Sequence, residues 1–147
     1  PRRMFIAACR PPNAADWKRF PTEETDAQLI NRLREYGGTS EEVLNNRELL
    51  RLLLPTIRSD FKLCISSDHT FERKLDCPII VFGGTEDAVA DVRQLGQWCL
   101  ETSGWFERFV FPGGHFFLQH HVRAVHEHMT QAITRQDPPR IMLRKVD

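Results

Sequence analysis

Two polar residues in this sequence each follow closely on a glycine pair: Asp87 in FGGTED (82–87) and His115 in FPGGH (111–115). An aspartate beside a histidine makes a general base. The carboxylate holds the ring in the right tautomer and stabilises the imidazolium that forms when it takes a proton. Glycines ahead of the histidine let the backbone turn sharply, and the flanking Phe116 and Phe117 would exclude water around it. Phe116 and Phe117 are also candidate substrate-binding residues, one of them walling the pocket; in the plainer reading they simply pack the last helix onto a sheet. Asp87 has a plainer reading too, because aspartate favours turns and helix N-caps; Asp91 is the fallback acid, but one turn later it is expected to face solvent. His120, His121, His126 and His128 invite a metal reading. No two of them form an i, i+4 pair, so a solvated helix face is expected and no metal site.

An activated histidine needs a nucleophile to act on. The chain has five serines, Ser40, Ser59, Ser66, Ser67 and Ser103, and none lies within G-x-S-x-G, the strained elbow that exposes a serine at the top of an α/β sheet. In that fold the order along the chain is nucleophile, acid, histidine, so the serine is expected upstream of Pro1.

The surrounding elements bring the two loops together. MFIAA (4–8), stopped by Pro11 and Pro12, PIIVF (78–82) and RFVF (108–111) are short continuous apolar runs, the pattern of strands covered on both faces. From Glu23 to Tyr36 the residues Leu29, Ile30, Leu33 and Tyr36 form one helical stripe that Gly37 and Gly38 end. TSEE (39–42) predicts Thr39 as the N-cap of a second helix, and a third starts at Arg47 and is interrupted by Pro55. Val89, Val92, Leu95 and Cys99 predict a helix between the second and third strands, and Val122, Val125, Met129 and Ile133 one after the third. Strands alternating with helices specify an α/β fold with a parallel sheet, whose strand ends converge on one edge and would place Asp87 beside His115. Residues 12 to about 70 are too many for a simple crossover and read as an inserted helical cap. Its leucines at 49–54 form the cap's core or in part guide an apolar ligand. Residues 135–147 read as a flexible tail or an edge segment.

Composition sets the bounds. The chain of 147 residues is 41% hydrophobic and 27% charged, as in ordinary globular proteins. Its 20 basic and 20 acidic residues cancel, which leaves no strong field for nucleic acid or an anionic membrane. No apolar run approaches membrane-spanning length, and no leader pattern is present. Cys9, Cys64, Cys77 and Cys99 are widely spaced and include no C-x-x-C pair, which predicts buried, reduced thiols in a cytoplasmic protein. A start at Pro1, so close to an apolar run, suggests a piece of a longer protein.

The stretch CPIIVFGGTEDAVADVRQLGQWCLETSGWFERFVFPGGHFFL (77–118) resembles the C-terminal half of a type II thioesterase, the stand-alone editing hydrolase of polyketide and nonribosomal peptide synthesis. The strand leading to G-G-x-x-D, Trp98 in the following helix and F-P-G-G-H-F-F carry the likeness. RLREYGGTSEEVL and LLLPTIRSDF are similar to the family's lid, and PRRMFIAACRPPN to the strand entering it; the likeness covers about residues 1–134. It implies the C-terminal part of an α/β-hydrolase fold with an inserted helical lid. It also implies Asp87 as triad acid, His115 as triad base, and no metal or organic cofactor. The implied partners are an acyl- or peptidyl-carrier protein bearing phosphopantetheine, and an absent N-terminal half carrying the serine. The family's elbow is missing here, and CISSDHTF (64–71) stands where relatives carry an acidic residue and a tyrosine. An esterase acting on oxygen esters and a non-catalytic carrier-binding module are the competing readings.

Overall fold

The run that opens at Ile79 has no polar face, and it forms the middle of a sheet. In this computed structural model, which describes residues 1–12, 14, 24–66 and 73–135, three strands pair in the order β1-β2-β3. They are β1 (Met4–Ala7), β2 (Ile79–Gly84) and β3 (Phe106–Phe111), and both pairings are parallel. Every residue of β2 is buried. Side chains alternate along a strand, so Ile79 and Val81 join Ile6, Ala90, Leu95 and Trp98 on one face. Ile80 and Phe82 join Phe111, Phe117, Val125 and Ala132 on the other. Full burial of each large β2 side chain contributes about 1.5–3 kcal/mol, which makes this strand the anchor for everything at its carboxyl end. The first face is covered by α4 (Val92–Leu95) and a 3-10 segment (Gly96–Glu101), the second by α5 (Leu118–Thr134).

The three strands form where the apolar runs predict them, with β3 starting earlier at Phe106 and β2 extending through both glycines. The helices differ more. Between β2 and β3 the four-residue α4 gives way to the 3-10 segment, whose three-residue turn sends Trp98 inward and leaves Cys99 exposed. In α5, Val122 and Ile133 are 64% and 59% exposed, against the inward positions expected for them. The inward line is instead Val125 and Ala132 with the partly buried Met129; at 100° per residue Val122 and Ile133 fall at the margin of that stripe, where they meet solvent.

The chain divides into two compact units, Pro1–Pro12 with Phe71–Asp147, and Asn13–Thr70. The second unit contains α1 (Asp26–Tyr36), α2 (Glu41–Leu44) and α3 (Arg47–Ser66). α1 opens on a capping box between Thr25 and Gln28 and ends at Gly37, whose φ of 72° suits glycine. The N-cap of α2 is Ser40, not Thr39: Ser40 Oγ accepts the Val43 N–H at 3.4 Å. α3 starts on Asn46, whose side-chain oxygen accepts the N–H groups of Glu48 and Leu49 at 3.1 Å. It then runs through Pro55, contrary to the interruption expected there. The reason is visible in the packing. Leu50, Leu54, Ile57 and Phe61 continue one stripe past the proline onto Leu29, Ile30 and Leu33, and breaking that stripe would forfeit more than the roughly 3 kcal/mol that an interior proline costs. Of the leucines at 49–54 only Leu50 and Leu54 are core; Leu49, Leu52 and Leu53 are exposed.

All four cysteines are free thiols, but only Cys77 is buried, while Cys64 and Cys99 are exposed. A thiol is small and weakly polar, so it tolerates either setting. The expected tail beyond residue 135 lies outside the described residues, as do parts of the expected cap at 15–23 and 67–72. Among the described residues no helix is long and apolar enough to cross a membrane.

Candidate active site

Parallel pairing of β2 with β3 sets Gly84 beside Phe111, so the loops that follow leave the sheet at the same level. Backbone bonds tie them at once: the Thr85 N–H donates to Phe111 O and the Glu86 N–H to Gly113 O, both at 2.9 Å. This approach demands glycine at 84, because a Cβ there would lie 2.4 and 2.5 Å from the carbonyl oxygens of Gly113 and Gly114. Gly113 itself has a φ of +117°, a region that side chains strain to enter.

The result is the predicted meeting of Asp87 and His115. His115 Nδ1 lies 3.1 Å from Asp87 Oδ1 and 3.0 Å from Oδ2. Asp87 is 5% exposed, and its Oδ1 also accepts the N–H groups of Val89 and Ala90 at 2.8 and 2.9 Å. The turn role and the pairing role of this aspartate therefore hold together. Burial by itself would raise the Asp87 pKa, but the His115 hydrogen bond, the Ala90 N–H, the His115 charge and the Val89 N–H together outweigh it and hold the carboxyl below its usual range. An ionised carboxylate only accepts, so His115 Nδ1 must carry the hydrogen and the ring is fixed in that tautomer.

Around this pair the two phenylalanines part company. Phe116 meets the His115 ring edge-to-face with centroids 5.2 Å apart and is 39% exposed. Phe117 is 1% exposed and stacks on Phe111 at 5.7 Å, beneath the loop. Asp91 does not approach the histidine. It accepts the Arg93 N–H at 2.8 Å as the N-cap of α4 and pairs with the Arg93 guanidinium, whose hydrogen bonds hold its carboxyl low.

Two further residues act on the loop: Thr85, which nothing in the sequence marks, and His121, expected on a solvated helix face. Thr85 Oγ1 accepts the Gly113 N–H at 3.3 Å, and His121 Nε2 donates to Pro112 O at 2.9 Å. His121 also tilts against Phe111 at 5.3 Å, and His128 stacks on Phe109 at 3.8 Å. Of the four late histidines only His120 and His126 are exposed as expected. On the other side of the sheet the Trp98 indole donates to Cys9 O at 3.0 Å and the Arg10 guanidinium to Val89 O, so the exit of β1 is tied to the turn that holds Asp87.

With this geometry in place the comparison with known proteins is decisive. Residues 1–133 match the family model of the thioesterase domain. The chain belongs to the thioesterase family. It is 32% identical over 133 residues to the probable cadicidin biosynthesis thioesterase of Streptomyces griseus, covering 90% of this chain and 37% of that protein. It is 34% identical over 118 residues to the gramicidin S biosynthesis protein GrsT of Aneurinibacillus migulanus, covering 80% of this chain and 46% of the relative. Among solved structures, YbtT, the type II thioesterase from the yersiniabactin NRPS/PKS pathway, superposes with a TM-score of 0.75 at 26% identity, over 89% of this chain and 53% of that one. The thioesterase chain thus spans less than half the length of these curated relatives, and its parallel sheet with helices on both faces is the C-terminal portion of their α/β-hydrolase fold.

Proposed function

We propose that this thioesterase chain supplies the acid, Asp87, and the base, His115, of a Ser-Asp-His triad. The triad hydrolyses acyl thioesters held on the phosphopantetheine arms of acyl- or peptidyl-carrier proteins, as an editing step of polyketide or nonribosomal peptide assembly in the cytoplasm. The observation that carries the reading is the double contact between the buried, ionised Asp87 carboxylate and His115 Nδ1. The names of the relatives supply the assembly-line context. In this reading the chain is the C-terminal part of one α/β-hydrolase domain, with a helical lid at about 12–70 and a flexible tail at 135–147. The serine is contributed by polypeptide ahead of Pro1, which agrees with the chain spanning 37% and 46% of its relatives and with the lack of a G-x-S-x-G elbow.

The chemistry follows from the tautomer. With Nδ1–H directed at Asp87, the serine proton passes to Nε2 as the seryl oxygen attacks the thioester carbonyl. The imidazolium is stabilised by the carboxylate, and it returns the proton to the departing thiolate. Water then attacks the acyl-serine through the same nitrogen and releases the acid. These steps require no metal and no organic cofactor. Phe116, exposed beside the ring, is assigned to the wall of the acyl site; Phe117 acts from below by fixing the loop to the sheet.

The test uses the complete enzyme and compares acyl-pantetheine thioesters with oxygen esters of the same acyl group. The reading expects thioesters to be turned over faster and His115→Ala to abolish turnover. Faster ester cleavage would make the protein an esterase, and turnover untouched by His115→Ala would remove the triad.

A further inference from the structure

The loop that carries His115 begins with one peptide group that is gripped at both ends. The planar amide joining Pro112 to Gly113 has its carbonyl on one side and its N–H on the other. His121 Nε2 donates to that carbonyl at 2.9 Å, and Thr85 Oγ1 accepts that N–H at 3.3 Å. The two partners come from different elements, Thr85 from the turn after β2 and His121 from the first turns of α5. The next carbonyl, of Gly113, is held by the Glu86 N–H at 2.9 Å. Gly113, at φ +117°, is the residue whose backbone would otherwise swing most freely between the sheet and His115.

The cost of this arrangement shows in α5. His121 leaves helical geometry (φ −123°, ψ 19°) while its ring reaches back to Pro112 and lies against Phe111. The backbone departs from regular helical geometry there, and the side chain bonds to the loop. Since a carbonyl oxygen can only accept, Nε2 of His121 must carry its hydrogen.

We propose that His121 and Thr85 are positioning residues, which by clamping the Pro112–Gly113 peptide hold the His115 imidazole against Asp87. Neither touches the reacting atoms. The role rests on the catalytic reading of Asp87 and His115. Its chemistry also makes a demand that simple packing would not: at 121 the side chain needs a donor at the reach of His Nε2, and at 85 an acceptor.

The substitutions separate those demands. His121→Phe keeps a ring for Phe111 and removes the donor; His121→Gln keeps a donor at similar reach and removes the ring. Thr85→Val and Thr85→Ser divide acceptor from shape in the same way. In the complete enzyme, His121→Phe and Thr85→Val are expected to lower kcat about tenfold or more, with KM within about twofold, as small displacements of a catalytic group do. His121→Gln and Thr85→Ser should recover most of the loss. The direct readout is the imidazole NMR of the same variants. The low-field His115 Nδ1–H signal should be retained in the wild type, His121→Gln and Thr85→Ser, and be exchange-broadened or lost in His121→Phe and Thr85→Val. Unchanged kcat and signal in His121→Phe would overturn the proposal. Equal losses in His121→Phe and His121→Gln would also overturn it, by assigning the effect to ring packing. Activity surviving His115→Ala would instead strike the catalytic reading, and the NMR signal would still judge the clamp.

Discussion

The carbonyl oxygen of Gly113 lies where a side chain on Gly84 would begin, 2.4 Å from the position of its Cβ. Both neighbours at this crossing are backbone, so neither can swing aside as a flexible side chain would. Gly84→Ala is therefore expected to push the loop that carries His115 away from Asp87. It should cost about 1–3 kcal/mol in urea unfolding, in line with overpacking, and reduce turnover of the complete enzyme about a hundredfold, in line with a misplaced catalytic group.

Asp87→Asn tests the tautomer argument. The amide can donate to Nδ1 and favour the wrong ring form while preserving shape, so kcat in the complete enzyme should fall about 10³–10⁴-fold with little change in KM. An effect of less than tenfold would mean that His115 does not depend on the carboxylate.

The same carboxylate links folding to pH. Its folded pKa is depressed, so the unfolded chain binds the proton more readily, and the associated stability is fully present above the unfolded value. That contribution should start to fade as the pH drops towards about 4, the ordinary aspartate value, and be gone once the pH is below the folded pKa. Urea titrations of the wild type and Asp87→Asn between neutral and acid pH should converge at the acid end. Parallel curves would contradict the assignment.

Phe116 and Phe117 are adjacent yet should fail differently. Phe117→Ala opens a cavity beneath the loop and should cost about 3–5 kcal/mol. Phe116→Ala, on a partly exposed ring, should stay within about 1 kcal/mol in stability and change KM for long acyl substrates instead. Denaturant melts and a chain-length series would separate the two.

Pro55 provides a test within the helical unit. Pro55→Ala restores the N–H that can donate to Arg51 O and removes a ring from an exposed helix interior. A gain of about 1–3 kcal/mol is expected after allowing for the looser unfolded chain, measured as a shift of the urea midpoint.

Much of this site could be read in advance because its causes are local in sequence. β2 is apolar at every position before its glycines, and each glycine pair announces a turn at the end of a parallel strand, so the meeting of Asp87 with His115 follows from the alternation of strands and helices. The misreadings have a different origin. By its own preference Pro55 predicts a break, and the stripe from Leu50 to Phe61 overrides it through contacts made with α1. A period of 3.6 gives Cys99 an inward place, and it fails once the segment tightens to 3-10 geometry. Nothing in the sequence marks Thr85, and His121 reads only as part of a solvated helix face, because their partners are main-chain atoms of a distant turn, and a hydrogen bond to a backbone amide leaves no complementary residue type to find. His121 moreover does its work from non-helical backbone that no periodicity announces.

The glycines of β2 have one more consequence. Because this strand is apolar on both faces, sliding it by a residue would expose nothing, and the usual penalty that fixes strand alignment is absent. Size takes over that duty. A shift by one would thrust Phe82 into the slot of Gly83 against Leu95, and a shift by two would drive it into the carbonyls that crowd Gly84. The two missing side chains thus act as a stop against sliding in that direction, past the alignment in which acid and base come level.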